Sequence, residues 1–418
     1  MTSSNQITLE ERLRTAVPSV PIRSDGTSVL PGTPPRVVVE PTSGIDLAAA
    51  LRFSDAEGIA VAPRGGGTKL DWGNPPSRAD VIVSTARLNR VLDHAWADMT
   101  VTVEAGCPVA ELQRTLAQHG QRLALDPLWP ERATIGGILS TNDSGMLRLR
   151  YGGLRDLVIG ITLALADGTL AASGGKVVKN VAGYDLPKLA TGALGTLGII
   201  TQATFRLHPL PQDTRTLTLR GGDLHELHLV MLAIQDSKLA HSALQMRTAL
   251  GAPPEADILL EGTAAGIEAQ EDIVRNLAGD IRVAGADDAV WNTREGLWQP
   301  HGGVIAKLSI LPSDAARTIE ELQKLIASGG TTWDTVLQAT GIGWLRLDGA
   351  SDALASTITG LRAAIETQGG SLVILRQPPD VLIEAWGNAG DALPLMRALK
   401  QQFDPRGTLN PGRFVGGI

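Results

Sequence analysis

The placement of glycine constrains this chain more than any other feature. Its 418 residues include 47 glycines. Three regions concentrate them: PRGGGTK at 63–69, TIGGILSTNDSG at 134–145, and KNVAGYD at 179–185 running on to GALGTLG at 192–198. Without a Cβ, successive glycines let backbone N–H groups converge on one concavity and let a ligand approach closely. Such nests bind phosphate oxygens, and two of them far apart in sequence suit a diphosphate gripped from both sides. Read singly, each run is equally well a tight turn. The common nucleotide signatures are absent. Gly65-Gly66-Gly67-Thr68-Lys69 lacks P-loop spacing, and Gly174-Gly175-Lys176 is followed by Val177 where a hydroxyl would be needed. Gly192, Gly195 and Gly198 have the wrong period for a dinucleotide fingerprint.

Charge and cysteine use exclude whole classes of function. Lys and Arg number 37 against 44 Asp and Glu, a net −7, so there is no basic footprint for nucleic acid or an anionic membrane. Cys107 is the single cysteine, which rules out an intramolecular disulfide and a multi-thiolate metal or iron–sulfur site. The N-terminus lacks the pattern of a secretory leader, and no run of about 18 apolar residues occurs, so a cytoplasmic protein without direct membrane insertion is expected. His225-Glu226-Leu227-His228 misses the spacing of a zinc-binding helix, and no metal site is expected.

Apolar periodicity predicts an α+β chain. After a lead-in over 1–36, strand at 37–41, helix at 43–57 and strand at 59–64 open a β-α-β unit. Strands at 81–85 and 101–106, a helix at 109–119 and a hairpin turning at Asp167-Gly168 follow, and a long strand over 198–211 ends at two prolines. Helix–strand alternation then resumes, with helices at 223–236, 266–278, 315–327 and 351–368 and strands at 257–261, 304–312, 343–349 and 371–377. A last helix at 392–402 leads to FDPRGTLNPGRF, whose composition matches the first region. The predicted domains are therefore 37–212 completed by 395–418, and 213–394.

Taken in order, PRGGGTK, TIGG with TNDSG, LADGT, KNVAGYDLPKL, GTLGIIT and FDPRGTLNPGR resemble the vanillyl-alcohol oxidase / p-cresol methylhydroxylase (PCMH) family of flavoproteins. Within it, KNVAGYD and the terminal motif are most similar to the FAD-binding subunits of bacterial glycolate oxidases. The resemblance implies a two-subdomain FAD-binding domain of the PCMH type with an α+β cap or substrate domain over 213–394. It further implies that Arg64, Gly65, Gly66, Gly67, Thr68 and Lys69 form one pyrophosphate loop, and that Thr134, Ile135, Gly136 and Gly137 form a second. Thr141, Asn142 and Ser144 would line the flavin or ribityl chain, with Gly183, Tyr184 and Asp185 near the cofactor. Gly195, Thr196, Gly198 and Ile200 would border the adenosine, and Asn410 and Pro411 would return from the C-terminus to the flavin.

Departures from the family matter as much. Members with covalent flavin carry histidine where this chain has Thr68, so non-covalent FAD is expected. Relatives that oxidise D-2-hydroxy acids on their own have a histidine-rich segment near the C-terminus, whereas Glu384 to Gly390 here has no histidine. The resemblance thus implies a subunit acting on a small 2-hydroxy acid beside a second flavoprotein subunit and an iron–sulfur subunit, peripheral to a membrane only through them. The alternatives are a stand-alone FAD-dependent oxidase or dehydrogenase, and a scaffold that has lost its flavin. Lys307, Arg346 and Arg376 interrupt apolar strands of the second domain. If they share a sheet face they are candidates to hold a substrate carboxylate and to stabilise reduced flavin; if they point outward they are ordinary polar strand positions.

Overall fold

The computed structural model describes residues 8–24, 37–175, 185–300, 302–327, 329–381 and 383–418. The chain divides into two units. The first comprises residues up to Ser144, Gly153–Pro209 and Ala389–Ile418; the second comprises Gly145–Gly152 and Leu210–Asn388.

The first unit holds two sheets, each with its own apolar core. In the four-stranded sheet the order is Ile22–Arg23, Val37–Val39, Val81–Ser84, Val61–Arg64, and the last three strands are parallel. Parallel pairing needs a crossover, supplied by the helix Gly44–Ala56, whose N-terminus is capped by Ser43 Oγ accepting the Asp46 N–H at 3.1 Å. Val37, Val39, Val81 and Val83 pack on Leu47 and Leu51 of that helix, each such burial contributing about 2 kcal/mol. The C-terminal chain lies along the free edge of Val61–Arg64. Val61 donates to the Thr408 carbonyl and receives the Asn410 N–H, both at 2.8 Å.

The five-stranded antiparallel sheet runs Val91–Ala95, Thr100–Glu104, Ile199–Arg206, Val158–Ala164, Leu170–Gly174. The expected hairpin at Asp167-Gly168 is present, with Gly168 at φ 81°. The expected strand over 198–211 stops at Arg206, and His208–Pro209 pairs separately with Gln121–Arg122.

The second unit is an eight-stranded antiparallel sheet. Its order is Arg282–Gly285, Asp213–Arg220, Glu255–Gly262, His241–Ala249, Thr331–Gln338, Ile342–Gly349, Val304–Ser309, Ser371–Arg376. One face is apolar and carries the helices Leu224–Asp236, Ala264–Ala278, Ala315–Leu325 and Ser351–Thr367. Gly145–Gly152, expected within a continuous 37–212 domain, belongs to this unit. Leu149 packs against its core, and the Tyr151 hydroxyl donates to Glu261 at 2.7 Å. The unit boundaries fall at 209/210 and 388/389, not at the expected 212/213 and 394/395.

Candidate functional site

Four stretches of the first unit converge on one cavity. The first follows the strand Val61–Arg64 and contributes Arg64, Gly65, Gly66, Gly67, Thr68 and Lys69. Two of its glycines are required by close approach: a Cβ on Gly65 would lie 2.2 Å from Thr134 Oγ1, and one on Gly66 would lie 1.7 Å from the Arg132 carbonyl oxygen. The N–H groups of Gly65, Gly66, Gly67 and Thr68 find no acceptor among the described residues, so the loop presents four free donors.

The second stretch is the short helix Ile135–Thr141, capped by Thr134 Oγ1 accepting the Gly137 N–H at 3.3 Å. Thr134, Gly136, Gly137 and Thr141 line the cavity. Ile135 does not; it faces the apolar core and is fully buried. Asn142 caps the helix at φ 50°, and Ser144 is buried off the wall.

In the third stretch Gly195, Gly198 and Ile200 reach the wall. Gly195, at φ 72°, packs so closely that a Cβ would sit 2.5 Å from Pro63 Cγ. Thr196 turns its hydroxyl to the Ala193 carbonyl at 2.7 Å and stays off the wall. Asp185 caps the helix Leu186–Ala190 and pairs with Lys188 at 2.7 Å, whose hydrogen bond holds the carboxyl below its usual pKa. It does not line the cavity. Gly183 and Tyr184 lie outside the described residues.

From the C-terminus comes Asn410, in a left-handed backbone at φ 45°. Its amide donates to the Leu194 carbonyl at 2.7 Å, which leaves Oδ1 buried without a hydrogen-bond partner. Pro411 is not on the wall; its carbonyl accepts from the Ser77 backbone at 2.7 Å.

Sequence reasoning missed several wall residues, among them Thr85, Ser140, Leu194 and Arg413. Arg413 is buried and donates to the carbonyls of Lys69 and Leu70 at 3.1 and 2.7 Å. Burial pulls its pKa down to about 10, against the opposing charge of Asp71. Its basic side chain was a visible signal inside the quoted C-terminal motif.

Residues 35–174 match the family described as FAD binding domain. The chain carries an FAD-binding domain of this family. Its fold is of the PCMH type. Two solved structures show this: 4-ethylphenol oxidase from Gulosibacter chungangensis has a TM-score of 0.74 at 18% identity over 99% of this chain and 98% of that one. Glucooligosaccharide oxidase from Acremonium strictum gives 0.70 at 13% identity, over 97% and 98%.

Among similar sequences, the glycolate oxidase subunit GlcD of Bacillus subtilis is 34% identical over 44% of this chain and 39% of its own length. A D-lactate dehydrogenase of Archaeoglobus fulgidus is 36% identical over 44% and 41%. The chain thus spans about two fifths of the length of each of these two. A D-2-hydroxyglutarate dehydrogenase of Xanthomonas citri is 27% identical over 91% of this chain and 89% of its own length.

The residues present fit FAD. A diphosphate needs a cluster of donors with no Cβ in the way, which the first loop offers, and a heteroaromatic or ribityl donor needs a buried acceptor, which Asn410 Oδ1 offers.

The three candidate cations lie in the second unit. In the sheet register Lys307 is opposite Trp344, and Ile305 is opposite both Arg346 and Arg376. Lys307 and Arg346 therefore share the face away from the helices, since cross-strand partners point the same way. Arg346 is only 4% exposed, and its guanidinium is taken up locally. It donates to both carboxylate oxygens of Asp348 at 2.5 and 2.7 Å, and to the carbonyls of Leu297 and Pro300 at 3.0 and 2.7 Å. Arg376 donates to the Trp298 carbonyl at 2.9 Å and lies over the Trp298 ring at 5.2 Å. Both arginines thus hold the stretch 297–300 against the sheet. Among the described residues, no helix is long and apolar enough to cross a membrane.

Proposed function

We propose that this protein is the FAD-binding subunit of a glycolate oxidase-type 2-hydroxy acid dehydrogenase and holds its FAD without a covalent bond. The observation that carries the reading is the cavity that gathers Gly65, Gly66, Gly67, Gly136, Gly137, Gly195 and Asn410. Similarity to the Bacillus, Archaeoglobus and Xanthomonas proteins supports 2-hydroxy acids as the substrate class. When bound, FAD supplies the two-electron acceptor for oxidation of an alcohol carbon. The chain's part is to bind and orient it, with loop N–H groups on the diphosphate and Asn410 Oδ1 as acceptor.

Non-covalent attachment rests on the wall's composition. Among the described residues no His, Cys or Tyr lines the cavity, and Cys107 is fully buried elsewhere. A second flavoprotein subunit and an iron–sulfur subunit are the proposed partners; the chain has one cysteine, and no histidine between Glu384 and Gly390, the stretch comparable to the histidine-rich segment of relatives that oxidise D-2-hydroxy acids on their own. The stand-alone dehydrogenase is the second reading, favoured by the near full-length similarity to the Xanthomonas protein.

An absorbance spectrum of the purified chain, followed by acid precipitation, tests the cofactor. Free FAD in the supernatant is expected; flavin in the pellet refutes non-covalent binding, and a colourless chain that takes up no added FAD refutes the cofactor. Co-purification from native cells tests the partners. A lone chain whose flavin is bleached by a hydroxy acid and which turns over by itself favours the second reading.

A further inference from the structure

Lys69 stands at the end of the first glycine loop, on the cavity wall, yet its side chain is only 4% exposed. Three oxygens surround its ammonium: Asp143 Oδ2 at 3.2 Å, and Thr68 Oγ1 and the Leu128 carbonyl at 3.3 Å each. The indole rings of Trp129 and Trp72 lie 5.3 and 5.7 Å away. Asp143, 1% exposed, also accepts the Leu128 N–H at 3.0 Å, and Arg413 donates to the Lys69 carbonyl. Lys69 therefore ties the first loop to the stretch 128–143 and to the C-terminal chain.

The chemistry of the contact with Thr68 is directional. An ammonium has only protons to give, so Thr68 Oγ1 accepts from Lys69. The one hydroxyl proton of Thr68 must then go elsewhere, and Thr68 is itself on the cavity wall. A cationic donor also strengthens the hydroxyl as a donor in turn. A buried charge in this place would be unfavourable without its partner, and Asp143 supplies it.

We infer that Lys69, paired with Asp143, is a positioning residue of the cofactor cradle that fixes the Thr68 hydroxyl as a hydrogen-bond donor to an oxygen of the bound cofactor. The inference rests on the FAD reading above. It separates the roles of two neighbours: Thr68 touches the cofactor, and Lys69 acts through it.

The test is titration of the flavin-stripped full chain with FAD, followed by fluorescence quenching, together with thermal unfolding of each flavin-stripped variant. Lys69→Met and Thr68→Val should each weaken FAD binding about tenfold, the scale of one hydrogen bond strengthened by a charge. The double variant Lys69→Met, Thr68→Val should be no weaker than Lys69→Met alone, because one pathway has been cut twice. Lys69→Met leaves the buried Asp143 carboxylate without the Lys69 ammonium, so Lys69→Met with Asp143→Asn should recover thermal stability but not FAD affinity. Recovery of both, or wild-type affinity in Thr68→Val, overturns the inference by reducing Lys69 to a structural ion pair. Failure of the wild-type chain to bind FAD overturns the FAD reading itself, before any variant is compared.

Discussion

The Lys400 ammonium lies 2.6 Å from the Asp404 carboxylate, both side chains largely buried, and donates as well to the carbonyls of Thr196 and Leu409 at 2.8 Å. Asp404 in turn accepts the N–H groups of Thr408 and Leu409 at 2.9 and 2.7 Å. This pair sets the turn that delivers Asn410 to the cavity. Asp404→Ala should destabilise the first unit by about 3–5 kcal/mol, the scale of breaking a buried pair. Urea unfolding measures it, together with the FAD content of the purified variant, which should fall in parallel.

Gly66→Ala places a methyl where the Arg132 carbonyl stands, and that backbone can yield only by opening the cradle. We expect flavin content to drop to about a tenth, with a stability loss of about 1–3 kcal/mol. Gly262→Ala, which meets nothing within 4 Å, is the control and should retain full flavin. Equal flavin in the two variants would refute the packing argument.

Arg346→Lys removes the fork that grips Asp348 and the carbonyls of 297–300. The second unit should lose about 3 kcal/mol. Binding of a carboxylate ligand should be much less affected, since the guanidinium donors are already engaged. A variant of normal stability that no longer binds carboxylates would show the reverse assignment.

Burial lowers the pKa of His208, with the charges of Arg206 and Arg122 adding to it, and burial does the same to His241, with Arg150 adding. In the folded chain these rings take up protons less readily than at the ordinary 6.5. As pH falls through that value the unfolded chain binds protons first, so their contribution is intact above it and lost below, by at most about 1.4 kcal/mol per pH unit for each ring. Unfolding midpoints across the range should fall toward acid, and replacing both histidines by glutamine should flatten the slope. An unchanged slope would assign it to other groups.

Burial, with Glu111 adding, pushes the Cys107 thiol up to about 11. The native chain should resist iodoacetamide at about pH 8 and react only when unfolded. Rapid alkylation of the native chain, read by mass spectrometry, would contradict that burial.

The sequence revealed most where residue type and conformation are tied one to one. Gly65, Gly66, Gly136 and Gly195 stand at the wall because no side chain fits there, and such positions can be read from sequence. Ile135 and Thr196 shared the same motifs but turn inward, a choice set by helix phase and a local hydroxyl bond. The strands Asp213–Arg220, His241–Ala249 and Thr331–Gln338 escaped notice. A register shift between His241 and Ala243 breaks the period of one, and a fully buried run over 335–338 blurs that of another. The partners of Arg346 and Arg376 were invisible for a different reason: the 297–300 carbonyls come from a distant stretch with no marking composition.

The wall of the cavity draws on residues near 65, 135, 195 and 410 of one chain. During synthesis the glycine loops emerge long before Asn410 and Arg413, and the whole stretch 210–388 must be translated in between. The site cannot be complete on a nascent chain until its last lining residues have left the ribosome. A chain interrupted before residue 410 would lack one wall of its binding site.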